Sequence, residues 1–133
     1  MPLPKYVLAA LLITFCSQKA ESEAASPVGV WRGESVCTSG ASSCHDETVV
    51  YYIEAVPDKP DAVAIRADKM VHGKAVTMGS GTWKYDRAKQ TLSWESVQRL
   101  WLLNLDPKGR RIEGTLTLPG NIVSRRMKLT KDE

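Results

Sequence analysis

The sequence predicts an all-β protein built from eight short antiparallel strands. Three observations indicate this class. Stretches rich in β-branched and aromatic residues recur at near-even spacing from residue 28 onward, tight-turn signals separate them, and no stretch shows a helical period. Regular short strands joined by tight turns are typical of a β-sandwich or an up-and-down barrel. Both architectures stay open at this point.

The predicted strands are bounded by residues that suit turns. They cover residues 28–37, 47–56, 62–71, 76–85, 90–97, 100–105, 111–118 and 122–130. Pro57 and Pro60 lack a backbone N–H, so the PDKPD segment is predicted to lie outside the strands. Residues 106–109 read Asp-Pro-Lys-Gly, with Pro and Gly at the positions that turn chemistry favours.

The first residues have the three parts of a secretory signal peptide. Lys5 gives a positive start, residues 6–16 form an apolar run too short to span a bilayer, and small residues suited to cleavage follow. We therefore predict a signal peptide over residues 1–24 and one mature domain over residues 25–133. Phe15 stands where a bacterial lipobox needs a small residue before Cys16, so lipidation is not expected. The predicted location is periplasmic or extracellular, without stable membrane insertion.

The cysteine count agrees with export. Once Cys16 leaves with the signal peptide, Cys37 and Cys44 remain as an even pair. In an oxidising compartment such a close pair is normally a disulfide. Its spacing fits neither a C-x-x-C redox motif nor a zinc knuckle. The sequence predicts a Cys37–Cys44 disulfide that closes the connection between the first two strands.

Charge gives no reason to expect nucleic acid as a partner. The chain has 18 basic and 15 acidic residues, a net charge of +3, which is ordinary for a small domain.

The cluster His45-Asp46-Glu47 could hold a metal ion together with His72. Neighbouring residues of an extended chain point to opposite faces, however, so too few ligands converge. We expect no metal site and no cofactor.

Signatures of common enzyme classes are missing from the sequence. It contains no G-x-S-x-G, no P-loop and no H-E-x-x-H. The two histidines, His45 and His72, both fall in predicted loops. The sequence therefore predicts a protein that is not an enzyme and has no catalytic residues.

Alternation within the strands assigns an inward face. The residues predicted to contact a ligand there are Tyr51, Ile53, Ile65, Trp83, Tyr85, Trp94 and Met127, with Leu92 and Leu116 beside them. Aromatic side chains with a polar tip suit a cavity that grips an apolar ligand and orients its polar end. The same residues could instead fill a solid core. The strand over residues 100–105 is apolar on both faces, so its orientation also stays open.

A short motif near the start of the mature domain resembles one known group of barrels. Gly29-Val30-Trp31 is a G-x-W, and Arg125 has inward parity on the last strand. With the eight-strand meander, these features resemble the lipocalin-like (calycin) group over nearly the whole mature chain. The resemblance implies an eight-stranded antiparallel up-and-down barrel in which Trp31 closes one end and packs against Arg125. Arg126 would replace Arg125 if the register shifts by one residue.

Two functions follow from these observations. The resemblance and the inward aromatics predict an exported binding protein that holds a small hydrophobic molecule inside the barrel. The alternative is an envelope or secreted interaction protein, a hydrolase inhibitor or an accessory factor, with a solid-core barrel and an unknown protein partner. The loop over residues 38–43, held between the cysteines, would then be the presented element. Its small polar residues are poor material for a binding hot spot.

Overall fold

A computed structural model describes residue 2 and residues 25–40 and 42–133. Within them, eight strands pair with their sequence neighbours, and β8 pairs with β1, to close an antiparallel up-and-down barrel. The strands are β1 (Gly29–Cys37), β2 (Glu47–Val56), β3 (Lys59–Val71), β4 (Lys74–Asp86), β5 (Thr91–Ser96), β6 (Arg99–Leu105), β7 (Arg111–Leu118) and β8 (Ile122–Lys131). The predicted all-β class is confirmed, as a barrel and not a sandwich. Apart from residue 2, the predicted signal peptide lies outside the described residues.

The turn between β2 and β3 is shorter than predicted. It consists of Pro57 and Asp58 alone, and β3 begins at Lys59 and includes Pro60. The β2–β3 register shifts beside Val56, which leaves Pro60 within a bulge. A bulged residue needs no ladder hydrogen bond, so proline is tolerated there. The prediction that the whole PDKPD segment lies outside the strands is therefore wrong.

β3 and β4 form a long hairpin, and β4 pairs with β3 over a much longer stretch than it pairs with β5. His72 and Gly73 have φ values of 50° and 78°, as a two-residue type I′ turn requires. β3 and β4 pair from this turn back to Ala62 and Lys84, whereas β4 pairs with β5 only over Lys84–Asp86. The part of the hairpin nearest its turn therefore extends beyond the β4–β5 ladder.

The barrel interior is packed with aliphatic and aromatic side chains. Its core consists of Trp31, Val49, Tyr51, Ile53, Val63, Ile65, Trp83, Tyr85, Leu92, Leu103, Leu105, Ile112, Met127 and Leu129. Inside the barrel, Gly114 lies where an added Cβ would come within 2.5 Å of Leu103 Cδ2. At this density the middle of the barrel is a solid core.

The segment before β1 closes one end of the barrel. Ala25 packs against the core, and its carbonyl oxygen accepts a hydrogen bond from Tyr85 Oη at 3.4 Å. Trp31 lies beneath this segment and donates from Nε1 to the carbonyl oxygen of Pro27 at 2.8 Å. Because a buried indole N–H needs a partner, this bond fixes the closing position of Trp31.

The cation beside Trp31 is Lys131, not Arg125. Trp31 lies opposite Lys131 in the β1–β8 ladder, and Lys131 Nζ is 5.6 Å from the centre of the ring. Arg125 lies opposite Cys37, six residues further along the strand, which corresponds to about 20 Å. The predicted packing of Trp31 against Arg125, or against its substitute Arg126, is therefore wrong. The ladder register brings the last residue of β8 to Trp31.

The disulfide lies at the opposite end of the barrel. Cys37 at the end of β1 is bonded to Cys44, as predicted. The connection is tied down further, since Asp46 Oδ1 accepts a hydrogen bond from the Cys37 N–H at 2.8 Å. Thr38 donates from its N–H to the carbonyl oxygen of Ser124 at 3.0 Å. The disulfide therefore clips the β1–β2 connection to the ends of β1 and β8.

No helix in the described part of the chain is long and apolar enough to cross a membrane.

Candidate ligand-binding cleft

A cleft opens in the barrel wall where β4 separates from β5 and β6. Its volume is about 250 Å³. It is lined by Tyr51, Ile65, Ala67, Met78, Gly79, Ser80, Gly81, Trp83, Trp94, Arg99 and Trp101. Most of these side chains are apolar, and three of the four tryptophans of the chain are among them. A concave apolar site with few polar groups is the usual form of a small-molecule site.

The cleft exists because β4 loses its neighbour and carries glycines there. Beyond Lys84 no described residue pairs with β4 on its β5 side. Gly79 and Gly81 form part of the cleft wall, and a Cβ added to either would meet no atom within 4 Å. Neither glycine has a positive φ. Neither local packing nor backbone conformation therefore requires glycine, and its effect is to leave the cleft open.

The three tryptophans form a graded wall from the core to solvent. Trp83 is 9% exposed, and its ring centre is 6.4 Å from that of Trp101, with the planes tilted by 54°. Trp101 lies opposite Trp94 in the β5–β6 ladder. Trp94 is 41% exposed and stands at the mouth. The deep rings are held by packing, and the outer ring remains accessible to a ligand.

Tyr51 supplies a polar group at the inner side of the cleft. Its hydroxyl donates to Met127 Sδ at 3.5 Å, a weak acceptor. Burial, and secondarily the negative charge of Glu47, raises the pKa of Tyr51 to about 12. The phenol therefore stays protonated at neutral pH. A ligand that reaches it meets a hydroxyl whose present partner is weak.

The inward-facing Arg125 is neutralised by partners at the disulfide end of the barrel, where it lies opposite Cys37. Its side chain is 16% exposed, and Nη1 is 3.8 Å from Glu47 Oε2. It also donates to the carbonyl oxygen of His45 at 2.9 Å and to Ser35 Oγ at 3.2 Å. These partners offset the cost of burying most of a charged side chain. Lys69 Nζ is 4.0 Å from the other Glu47 oxygen, so Glu47 lies between two cations.

The polar segment His45-Asp46-Glu47 has structural contacts at each residue. His45 offers its carbonyl oxygen to Arg125, Asp46 holds the Cys37 N–H, and Glu47 pairs with Arg125. Among the described residues, no group of three or more His, Cys, Asp or Glu side chains could hold a metal ion. The segment therefore joins the β1–β2 connection to β8.

Four of the seven predicted ligand-contacting residues line the cleft: Tyr51, Ile65, Trp83 and Trp94. Ile53 and Met127 are packed in the solid core, each 1% exposed. Tyr85 lies near the end closed by the segment before β1. The predicted set therefore divides between the cleft, the core and the closed end. The cleft that collects four of them lies in the barrel wall and not at its centre.

Tyr85 lines a second, larger groove of about 510 Å³. This groove is bordered by Ser26, Pro27, Val28, Ala55, Val56, Lys59, Pro60, Ala62, Val63, Tyr85 and Arg87. It contains one aromatic side chain and is bounded largely by the segment before β1 and by the adjoining ends of β2 and β3. Despite its greater volume, it lacks the convergence of large apolar rings that makes an orienting site. The smaller cleft is therefore the better candidate.

The sequence did not identify several residues of the cleft. They are Ala67, Met78, Gly79, Ser80, Gly81, Arg99 and Trp101. Trp101 depended on the β5–β6 register, which is set by a turn of Val97 and Gln98. Neither is a typical turn residue, so the register had no local signal. The predicted strand bounds leave Gln98 and Arg99 as a two-residue connection, one residue too late, and that register would place Trp101 opposite Ser96.

The barrel as described is consistent with the lipocalin-like group but not specific to it, since other protein groups share an eight-stranded antiparallel barrel. The comparisons with known proteins add no family: neither a model of a known protein family nor a curated protein matches the chain.

Proposed function

We propose that this protein is an exported, lipocalin-like binding protein that takes a small apolar ligand in the cleft between β4 and β5–β6. One observation carries the proposal. Trp83, Trp94 and Trp101 converge on a single open cavity in a barrel whose middle is otherwise solid. Large rigid rings give contact area at low entropic cost. The absence of enzyme motifs from the sequence favours binding over catalysis.

The size of the cleft limits the ligand. Sites for drug-sized molecules have volumes of about 300–1,000 Å³, and this cleft has about 250 Å³. The ligand is therefore small, or only part of a larger one enters. Indole or a similar bicyclic compound is a suitable probe. A polar atom on its inner edge would meet Tyr51, and an anionic substituent at its outer edge would meet Arg99.

Export is supported by two separate features. The predicted signal peptide over residues 1–24 provides the route, and the disulfide between Cys37 and Cys44 requires an oxidising compartment. The lipocalin-like assignment is supported by the strand order and by Trp31, which closes one end under a cation from β8. That cation differs from the one the resemblance implies, but it comes from the same strand.

The proposal is tested by titrating the protein with a panel of small apolar compounds, indole included. Calorimetry and thermal unfolding provide the two readouts. We expect at least one compound to bind and to raise Tm. Trp94→Ala should weaken that binding by about tenfold or more, because one aromatic contact is worth about 1–2 kcal/mol.

The matched control is Tyr52→Ala, which removes an aromatic ring from the outer face, where Arg66 lies 4.1 Å from the ring centre. Binding should be unchanged in this variant. A panel in which no compound binds or raises Tm would overturn the proposal. So would equal binding by the Trp94→Ala variant and the unaltered protein.

A further inference from the structure

The edge of β4 that faces the cleft has unpaired backbone groups over most of its length. β4 pairs with β3 from Lys74 to Lys84, but on its other side it pairs with β5 only from Lys84 to Asp86. In the described part of the chain, no backbone hydrogen bond reaches residues 74–83 from the side of β4 that faces away from β3. Every residue from Lys74 to Thr82 is exposed.

The opposite side of the gap is also a strand edge. β5 pairs with β6 from Thr91 to Ser96 but with β4 only as far as Ser93. The stretch from Trp94 to Ser96 therefore has a partner on one side alone among the described residues. The gap is flanked by two strand edges, and the tryptophan-lined cleft lies at its base.

Between its two ends, the β4 edge lacks two of the devices that usually prevent strand addition. Such edges normally carry charges or proline. Residues 75–83, AVTMGSGTW, contain neither, although a quarter of the chain is charged. A third such device, a β-bulge, is present at Met78 in the β3–β4 ladder, and Met78 itself lines the cleft. The edge is also held in place, since Thr77 Oγ1 donates to Asp68 Oδ1 at 2.8 Å.

We propose that an extended peptide of another protein adds to the β4 edge and places one large apolar side chain in the cleft. The inference rests on the proposed function, because the cleft must accept an apolar group. Unpaired strand groups are best satisfied by another extended backbone. The cleft is smaller than the sites of drug-sized molecules, and its volume also suits one large side chain. Gly79 and Gly81 leave space for it.

Charge refines the chemistry of the peptide. Lys74 and Lys84 lie at the two ends of the unpaired stretch, and Arg99 lines the cleft. Acidic residues on either side of the apolar residue would complement these cations. A second copy of the chain is a poorer occupant. Two antiparallel β4 edges paired about Gly79 would place Lys74 opposite Lys84 of the other copy, and like charges directly opposite are unfavourable.

The test uses the purified protein and two synthetic peptides as long as the free edge. The first has glutamate at both ends, alternating threonine and valine between, and a central phenylalanine. The second is identical except that alternate backbone nitrogens are methylated, which removes hydrogen-bond donors and keeps the side chains. We expect the first peptide to bind at least about tenfold more tightly by calorimetry, the change expected when two or more net hydrogen bonds are lost.

A protein variant and a small probe separate the two proposals. Val76→Glu places a negative charge on the edge but outside the cleft lining. It should therefore weaken binding of the first peptide and leave binding of indole unchanged. If indole binds while the two peptides bind equally, the peptide inference is overturned and the proposed function stands. If the first peptide binds preferentially but indole does not, the free-ligand function fails and the edge remains the site.

The occupancy of the edge by a second copy is tested by sedimentation of the protein alone. We expect a monomer at all concentrations. A concentration-dependent dimer that Val76→Glu dissociates would overturn the peptide inference, because the edge would then already be covered by another copy of this chain.

Discussion

Trp94 and Trp101 lie directly opposite each other in the β5–β6 ladder, yet they meet different surroundings. Trp101 packs against the buried core, whereas Trp94 is partly exposed at the mouth of the cleft. Single exposed apolar residues are common on protein surfaces. Here Met78, across the gap on β4, is also exposed and lines the same cleft. The pair joins a fixed inner wall to an accessible rim, as a binding site requires.

The first prediction concerns the glycines of the cleft wall. Gly81→Val should fill space without contact to other atoms, so stability should be unchanged or rise by up to about 1 kcal/mol, because valine favours strands over glycine. Binding of indole should weaken by about tenfold or more. The measurements are urea unfolding and calorimetry.

Gly33→Ala is the contrasting variant. A Cβ at Gly33 would overlap the carbonyl oxygen of Lys128 on β8, and backbone cannot move as a flexible side chain does. Unfolding free energy should fall by about 1–3 kcal/mol or more. Equal effects of the two substitutions on stability would contradict this description of the β4 wall.

The second prediction concerns pH. Burial, aided by Glu47, raises the pKa of Tyr51 from its usual value of about 10 to about 12. The fold thus favours the neutral phenol, and its contribution to stability is fully present below pH about 10. That contribution is lost as pH rises from about 10 to about 12, with a slope of up to about 1.4 kcal/mol per pH unit.

The check is urea unfolding at pH about 9 and about 11, compared between the protein and Tyr51→Phe. All other ionisable groups are common to the two proteins, so the difference isolates Tyr51. The unaltered protein should lose more stability than Tyr51→Phe over this interval. Identical pH dependence in the two proteins would show that the phenol is not buried as described.

The third prediction separates Lys131 from Arg125. Lys131→Met keeps most of the side-chain stem but removes the cation over Trp31, and should reduce stability by about 0.5–1 kcal/mol. Arg125→Met leaves Glu47 without its main partner and should reduce stability by about 1–3 kcal/mol. The indole N–H resonance of Trp31 should shift in Lys131→Met alone. A shift in Arg125→Met alone would favour the pairing that the sequence predicted.

The fourth prediction concerns the disulfide. Replacing Cys37 and Cys44 by serine should lower the free energy of unfolding by about 2–3 kcal/mol, because the unfolded chain regains the freedom of a short loop. Asp46→Ala should have a smaller effect of about 1 kcal/mol through loss of its bond to the Cys37 N–H. Urea unfolding with and without reductant measures both. An unfolding curve that reductant leaves unchanged would contradict the stabilising role.

Much of the fold follows from local sequence, because strands and turns are local features. The β2 and β7 bounds agree with prediction, and the other strands differ at their ends. Pro60 shows the limit of local rules. Proline is excluded from a regular ladder but not from a bulge, and the bulge arises from pairing with β2. Such pairing is a property of two strands and is not visible in either one.

The site was less predictable because it depends on the relation between distant strands. The alternation of side chains along the strands predicted that Trp83 and Trp94 point inward. It did not predict which inward residues line a cavity and which pack against other side chains. Ile53 and Met127 share the parity of Tyr51 and are fully packed. The cleft arises because most of β4 lies beyond the part that pairs with β5. No residue type signals that loss of pairing, although Gly79 and Gly81 within a strand are a clue.

The most direct test of the cleft is the indole N–H region of a ¹⁵N-correlated NMR spectrum during titration with indole. The four tryptophans give four reporters, and Trp31, at the closed end and bonded to Pro27, is an internal reference. Binding in the cleft should shift the resonances of Trp83, Trp94 and Trp101 and leave that of Trp31 unchanged. A saturating titration that shifts Trp31, or that leaves all four resonances in place, would contradict it.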